Sequence, residues 1–406
     1  MNRTGAQRSA WVMLIALACA FSLSQAFRTV TAMMAKQLQA DFGLSPLQLG
    51  VFAGTFHLTF GAMQFFMGIG IDLYGVRRTI LTAFPVAVAG ALLSAFAPDF
   101  RLVVLGQALI GVGCAPAFLV CTVFVARHFP ADKFAQLSGL VMGIGGIGLL
   151  ATATPLAWVV QHSSWRNGFL ILGVAGVLAW IAVFVFVREE PGARNPRGET
   201  FGGAAREFGA LFLVPHTWGI LALAFVTYAA FITLRGLWLG PLLIERYGFT
   251  LVQSGNVALA VSVVSLFGPS VFGRFDPKVG RRRWIIAFTG TMACVFLVLA
   301  WVHHAPLTVA LILLLAFLNG YVVLQYADVR QSYPEAMTGR ALAVFTMAMF
   351  LGVALMQWLT GVAASAATER GIEPYEGVML ASAAMLGLGV LGFRFLPAPK
   401  TAAAPA

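Results

Sequence analysis

Apolar runs of about twenty residues or more recur along the chain, separated by short stretches that hold Gly, Pro and charge. They predict helices near 11–39, 47–71, 79–97, 101–126, 136–160 and 166–187. A second set follows near 216–246, 251–273, 284–302, 306–328, 340–365 and 377–396. The runs are continuously apolar and do not alternate in polarity, which selects spanning helices over barrel strands. Each is long enough to cross a hydrocarbon core about 30 Å thick. The fold class predicted is an all-α membrane protein with twelve transmembrane helices. Between the two sets, residues 188–215 are polar and rich in Gly, Pro and charge, with room for a short surface helix. This divides the chain into an N-terminal six-helix bundle (1–187), a linker (188–215) and a C-terminal six-helix bundle (216–406).

Composition agrees. Of the 406 residues 60% are hydrophobic and 10% charged, and a soluble domain carries about 25% charged residues. Lipid must therefore solvate much of the outside. The net charge of +11 does not point to nucleic acid, because the basic residues are scattered one to three at a time through short connectors. The four cysteines all lie in apolar runs without metal spacing, so no metal site and no cofactor are predicted. Arg3 and Arg8 precede an apolar run, and Ser24-Gln25-Ala26 imitates a signal-peptide cleavage site. The run continues to about residue 39 and has a counterpart in the second half, so the segment is expected to be retained as helix 1.

Charge placement orients the chain. With the N-terminus in the cytoplasm, nineteen of the 26 basic residues fall on the cytoplasmic side and five on the outer side, with Arg28 and Arg235 inside spans. That bias predicts a multi-pass protein of the cell inner membrane with both termini cytoplasmic.

The halves also repeat. A shift of 205 residues places Gly43, Gln48 and Gly50 on Gly248, Gln253 and Gly255, and Gly68, Gly75, Arg77 and Arg78 on Gly273, Gly280, Arg282 and Arg283. Internal duplication is a common plan of secondary transporters, which place the substrate between the halves near mid-membrane.

The segment Gly68-Ile69-Gly70-Ile71-Asp72-Leu73-Tyr74-Gly75-Val76-Arg77-Arg78 resembles the helix 2–3 loop signature of the major facilitator superfamily, G-x-L-x-D-x-x-G-x-R-R/K. A decayed copy runs from Gly273 through Asp276 to Arg283, and Trp165-Arg166 before helix 6 is also similar to the family. The resemblance implies the major facilitator fold, two six-helix pseudo-repeats, over essentially the whole chain. Glycines at such a loop let helix ends approach, and Asp72 can favour a facing helix N-terminus. Gating is therefore expected of Gly68, Asp72, Gly75, Arg77, Arg78, Asp276 and Arg282, against the alternative that the arginines only obey charge topology. Two departures weaken a reading as a drug–proton antiporter. Helix 4 carries Gln107 where proton-driven members often have arginine, and the Gly-Pro then Gly-Gly pattern of helix 5 is absent, with Pro155 late.

An ionisable residue within a span costs at least about 2.5–3.5 kcal/mol to insert, which makes each a functional candidate. Arg28 lies deep in helix 1 and Arg235 deep in helix 7, at near-equivalent places of the repeat. Asp328 is too near one end of helix 10 to pair with both. An anionic substrate would restore balance, since guanidinium forks suit carboxylate and phosphate. The pair resembles that of organic-anion and organophosphate facilitators; the alternative is that each arginine bonds helix carbonyls or reaches the outer interface. His57 in helix 2 is the candidate for coupling protons, or else a packing residue. Tyr228 and Trp238 share a face of helix 7 with Arg235, and Asn319, Tyr326 and Gln357 complete the candidate binding set.

The chain is thus expected to be a monomeric secondary transporter, not an enzyme, that moves a small organic anion by alternating access, with the bilayer, the substrate and protons as its partners. Its rivals are a proton-coupled exporter of drugs or metabolites and a non-transporting receptor or assembly factor on the same fold.

Overall fold

A computed structural model describes the backbone of residues 3–130, 133–188, 201–274, 280–333 and 335–396. Among these every regular element is helical, and twelve helices are long and apolar enough to cross a membrane. Asp276 lies outside the described residues, as does the side chain of Asp72. The described part of the linker contains a helix at Phe201–Ala210, where a short surface helix had room.

Five of the helices are not continuous. Helix 1 is broken between Arg3–Phe27 and Thr31–Phe42, helix 4 at Ala115 and Pro116, and helix 5 at Thr152 and Ala153. Helix 7 breaks at Phe225 and Val226 and then widens into a π turn over Leu234–Trp238. Helix 10 narrows to a 3-10 turn at Asn319–Tyr321. Pro116 gives a direct reason in helix 4, because its ring removes an amide donor. In lipid such breaks persist only where protein or a polar cavity satisfies the freed groups. Here hydroxyls do so: Thr152 donates to the carbonyls of Gly148 and Leu149 in helix 5, Thr227 to that of Leu223 in helix 7, and Ser24 of helix 1 to that of Cys114 in helix 4, while Thr29 in the break of helix 1 meets Thr152 at 2.8 Å. Sequence periodicity read all five as unbroken, because each break is only two to five residues long and apolar helix resumes on both sides.

The 205-residue repeat is visible in the backbone. Gly43 and Gly248 end helices 1 and 7 in the left-handed conformation, with φ of 62° and 69°. Ser45 with Gln48, and Thr250 with Gln253, then form reciprocal caps at the starts of helices 2 (Pro46–Tyr74) and 8 (Leu251–Arg274). Arg77 donates to the carbonyls of Val187 and Phe184, closing the end of helix 6. Its repeat mate Arg282 donates to Phe393 O at 3.2 Å and lies over that ring, closing helix 12. A cation at a helix C-terminus is favourable, so each arginine braces the last helix of its own half.

The repeated glycines at the starts of helices 2 and 8 form the seams between halves. Gly50 lies against Gln357 O and Gly361 of helix 11, and Gly255 lies against Thr154 and Ala157 of helix 5. Both seams sit on the face away from the 188–215 linker, called the distal face below. Further bonds close them: Leu47 N donates to Ser365, Thr154 to Asn256, and Val252 N to Gln161. Lys36 of helix 1 pairs with Glu245 of helix 7, and Tyr375 of helix 12 donates to the same carboxylate at 2.5 Å. Nearer the linker face, Gly68 and Gly70 meet Leu119 and Thr79 of their own half. The conformation is one closed at the distal face.

Candidate functional site

Arg28 stands in the break of helix 1, where the backbone turns at 28–30 and the side chain leaves the helical face. Its guanidinium lies against a pair of packed phenyl rings, 4.6 Å from the centroid of Phe60 in helix 2 and 4.7 Å from that of Phe350 in helix 11, the two centroids being 4.4 Å apart. Cation–π contacts of this kind are worth about 2 kcal/mol or more when desolvated. They cover one side of the group with aromatic surface and satisfy none of its N–H donors. Its Nε has none, and no acceptor among the described residues meets the rest of the guanidinium. Gln25, one turn back, is also buried with its Oε1 unpartnered.

Around this cation the structure gathers four of the other candidates. His57 is 1% exposed and stacks on the far reach of Phe350, ring centres 6.4 Å apart. Tyr228 meets Phe350 edge-on at 5.7 Å. Tyr326 packs on Phe345 and lies within electrostatic reach of both Tyr228 and Arg28. Gln357 is fully buried beside His57, and neither amide atom has a partner. The result is a cluster of aromatic and polar side chains with one positive charge and several unsatisfied polar atoms, drawn from helices 1, 2, 7, 10 and 11.

Arg235 is not part of it. Its guanidinium turns to Ser262 of helix 8, with Nε at 3.4 Å, and to the carbonyl of Leu149 in helix 5. Helices 1 and 7 meet at this level, since Gly236 abuts the Arg28 carbonyl, yet the two side chains leave in different directions. The expectation that both arginines face one cavity does not hold in this conformation; Arg235 follows the alternative of bonding helix carbonyls. The π turn around it explains the departure, because one extra residue per turn rotates the side chain off the face predicted by a regular helix. Trp238 is likewise turned away, donating to Thr360 at 2.9 Å and packing on Tyr375. Asn319 lies in the 3-10 turn of helix 10, half-buried, and no contact joins it to Arg28.

Sequence reasoning missed Phe60, Phe350 and Gln25. Phe60 is three residues from His57 and Gln25 three from Arg28, so helical spacing could have found both. Phe350 carried no signal, since 34 phenylalanines populate these apolar runs.

The model of the Major Facilitator Superfamily matches residues 17–356. The chain belongs to the major facilitator superfamily. It is similar to the hexuronate transporter of Bacillus subtilis (strain 168), with 22% identity over 63% of this chain and 61% of that protein. It is similar to the probable sulfoacetate transporter SauU of Cupriavidus necator, with 22% identity over 91% and 89% of the two chains. The efflux pump hmp6 of Hypomyces subiculosus shares 28% identity, but the match spans only 45% of this chain and 32% of that one. Among solved structures, the D-xylose–proton symporter superposes with a TM-score of 0.76 at 17% identity, covering 96% and 98% of the chains. At that identity the likeness speaks for the fold, which is that of a twelve-helix transporter.

Proposed function

We propose that this transporter carries a small organic anion and that Arg28 holds the anionic group. The observation that supports it is the Arg28 guanidinium itself: buried, oriented by Phe60 and Phe350, and without an acceptor. An unpaired buried cation is costly, and a bound carboxylate or phosphate offers the planar bidentate match. His57, Tyr228, Tyr326 and Gln357 surround the anion's organic body. Two similar proteins are named for anions, hexuronate and sulfoacetate, which fits the same class. With no nucleotide-binding motif in the chain, ion gradients or exchange supply the energy. The basic-residue bias puts the linker and both termini in the cytoplasm of a cell with an inner membrane. The distal face is then the outer one and is shut in this conformation, and the proposed activity is import by a monomer.

The test is uptake into right-side-out and inside-out vesicles of labelled glucuronate, sulfoacetate, lactate and glycerol 3-phosphate, with glucose as the neutral control. Accumulation of an anion and not of glucose is expected. Transport of glucose alone, or of a cationic compound, would overturn the reading. Export of apolar compounds is the second reading, which the aromatic walls at Phe60 and Phe350 favour; it requires export that Arg28→Gln leaves unchanged.

Gating is assigned to the Gly68–Arg78 loop, with Asp72 as its charged element and Arg77 and Arg282 as braces. Asp72→Asn should cut turnover about tenfold, the effect of roughly 1.4 kcal/mol on the state equilibrium. Membrane insertion and equilibrium binding of the anion should persist; unchanged turnover would remove Asp72 from the gate.

A further inference from the structure

The seam between helices 2 and 11 contains a polar defect that packing does not explain. His57 Nδ1 lies 3.2 Å from the carbonyl of Ala53. A carbonyl only accepts, so Nδ1 carries the hydrogen, and the neutral ring presents a bare lone pair at Nε2. That atom is buried with no partner. Across the seam, the fully buried Gln357 brings its amide within hydrogen-bonding reach of the ring from the other half of the protein, though neither amide atom makes a well-aligned bond. Three buried polar atoms without a well-aligned bond at one contact between two moving halves are unusual, because an unsatisfied buried group costs about 1–3 kcal/mol. They lie just inside the place where Gly50 touches Gln357 O and the distal face is shut.

We propose that His57 Nε2 is the proton-binding site of the transport cycle and that its N–H, once formed, is received by Gln357 Oε1 across the seam. A proton from water on the distal side joins the Nε2 lone pair. The imidazolium then donates at both nitrogens, to Ala53 O and to Gln357, and the new bond ties helix 2 to helix 11 with the distal face closed. The proton returns to water at the linker face when the anion leaves.

The charges around His57 make this conditional on the anion. Helix 1 presents Arg28, which shares the Phe350 ring with His57 and acts on it electrostatically. Helix 4 presents only the thiol of Cys114, helix 7 the phenol of Tyr228 and, turned away, Arg235, and helix 10 the phenol of Tyr326. Helix 11 carries Arg340 and Glu369 only toward its two ends, and helix 3 carries Arg77 and Arg78 at its start. Lys36 and Asp41 lie on the distal limb of helix 1. No described carboxylate neutralises Arg28, so an empty site repels a proton at His57 and an anion on Arg28 removes the repulsion. Anion and proton therefore favour each other's binding by roughly tenfold, the reciprocal coupling that symport uses. This rests on Arg28 being the anion's seat.

The experiment places a bimane fluorophore on Ser365→Cys, at the distal seam where Ser365 receives Leu47 N, after replacing the four native cysteines. Bimane burial is followed from pH 5 to 8.5 in nanodiscs. Burial should grow as pH falls, along a single-site curve, and 15N resonances of His57 should move over the same range. His57→Gln and His57→Asn should both be flat, and Gln357→Leu should lose the response. Arg28→Gln should close at roughly tenfold lower proton concentration without any anion, the effect expected of one nearby charge. Sodium glucuronate should displace the wild-type curve in the same direction and leave Arg28→Gln unmoved. A flat wild-type curve, or a titrating His57→Gln, overturns the proposal. If the histidine-dependent curve and its displacement in Arg28→Gln persist while no anion of the uptake panel moves the wild type, the proton site stands and the anion reading fails.

Discussion

Arg28→Gln should weaken equilibrium binding of the transported anion about a hundredfold, while Arg235→Gln leaves it within about twofold. The asymmetry comes from what each guanidinium already touches. Arg235 donates to Ser262 and to the Leu149 carbonyl, so its hydrogen-bonding capacity is partly spent within the protein. Arg28 has two aromatic faces and no acceptor, so an arriving carboxylate gains charge-assisted bonds that nothing in the protein must release. Two such bonds at about 1.5 kcal/mol each give the hundredfold factor. Arg28→Lys separates charge from shape. It keeps the cation but loses the planar fork packed on Phe60 and Phe350, and a loss of about tenfold is expected. Isothermal titration with whichever anion the vesicle screen selects measures all three. Equal losses at both arginines would mean that Arg235 swings into the site in another state, and undiminished binding in Arg28→Gln would remove that residue from recognition. Arg235→Gln has its own signature: because Leu149 belongs to the first half and Arg235 to the second, its loss should change turnover more than affinity.

The uneven fate of the two arginines shows where sequence reasoning reaches and where it stops. Twelve spans and the duplication were legible because lipid leaves few ways to satisfy a backbone, and because Gly43, Gly75, Gly248 and Gly280 all adopt positive φ that side chains resist. That Arg28 and Arg235 lie deep in helices 1 and 7 was equally legible, since burying charge is rare enough to be a signal. Their directions were not. Both sit where the helix departs from 3.6 residues per turn, Arg28 in a break and Arg235 in a π turn, and projection onto a regular helix fails there. His57 and Gln357 were found as polar residues in spans, but their meeting across the seam needed the fold. Arg77 and Arg282, marked by the loop signature, turn out to close helices 6 and 12; a carbonyl acceptor more than a hundred residues away leaves no trace in spacing.

The second large effect belongs to the seams. Gly50→Val should cut net uptake by roughly five- to hundredfold, while anion binding from the distal side persists. A Cβ at Gly50 would run into the Gln357 carbonyl and lie 3.2 Å from Gly361 Cα. Both obstacles are backbone, which no rotamer change can move aside. Overpacking a tight contact costs about 1–3 kcal/mol even where neighbours can relax. Here the two helices need not relax at all, because they can part, and the strain is relieved by opening the distal face. The substitution therefore falls on the closed state alone and shifts the equilibrium by roughly five- to hundredfold or more. The repeat supplies a second trial, since Gly255→Val would put a side chain 2.8 Å from Ala157 Cβ and 3.0 Å from Thr154 Cα at the other seam. Gly139 and Gly143 serve as controls; a Cβ at either meets nothing within 4 Å, so valine there should leave uptake nearly unchanged. Bimane at Ser365→Cys should report a solvated distal seam for Gly50→Val at every pH, since sterics outweigh the His57–Gln357 bond. A seam that still buries the fluorophore would show that helices 2 and 11 do not part during transport. Loss of uptake in all four variants alike would instead point to misfolding, because only two of the four glycines touch the opposite half.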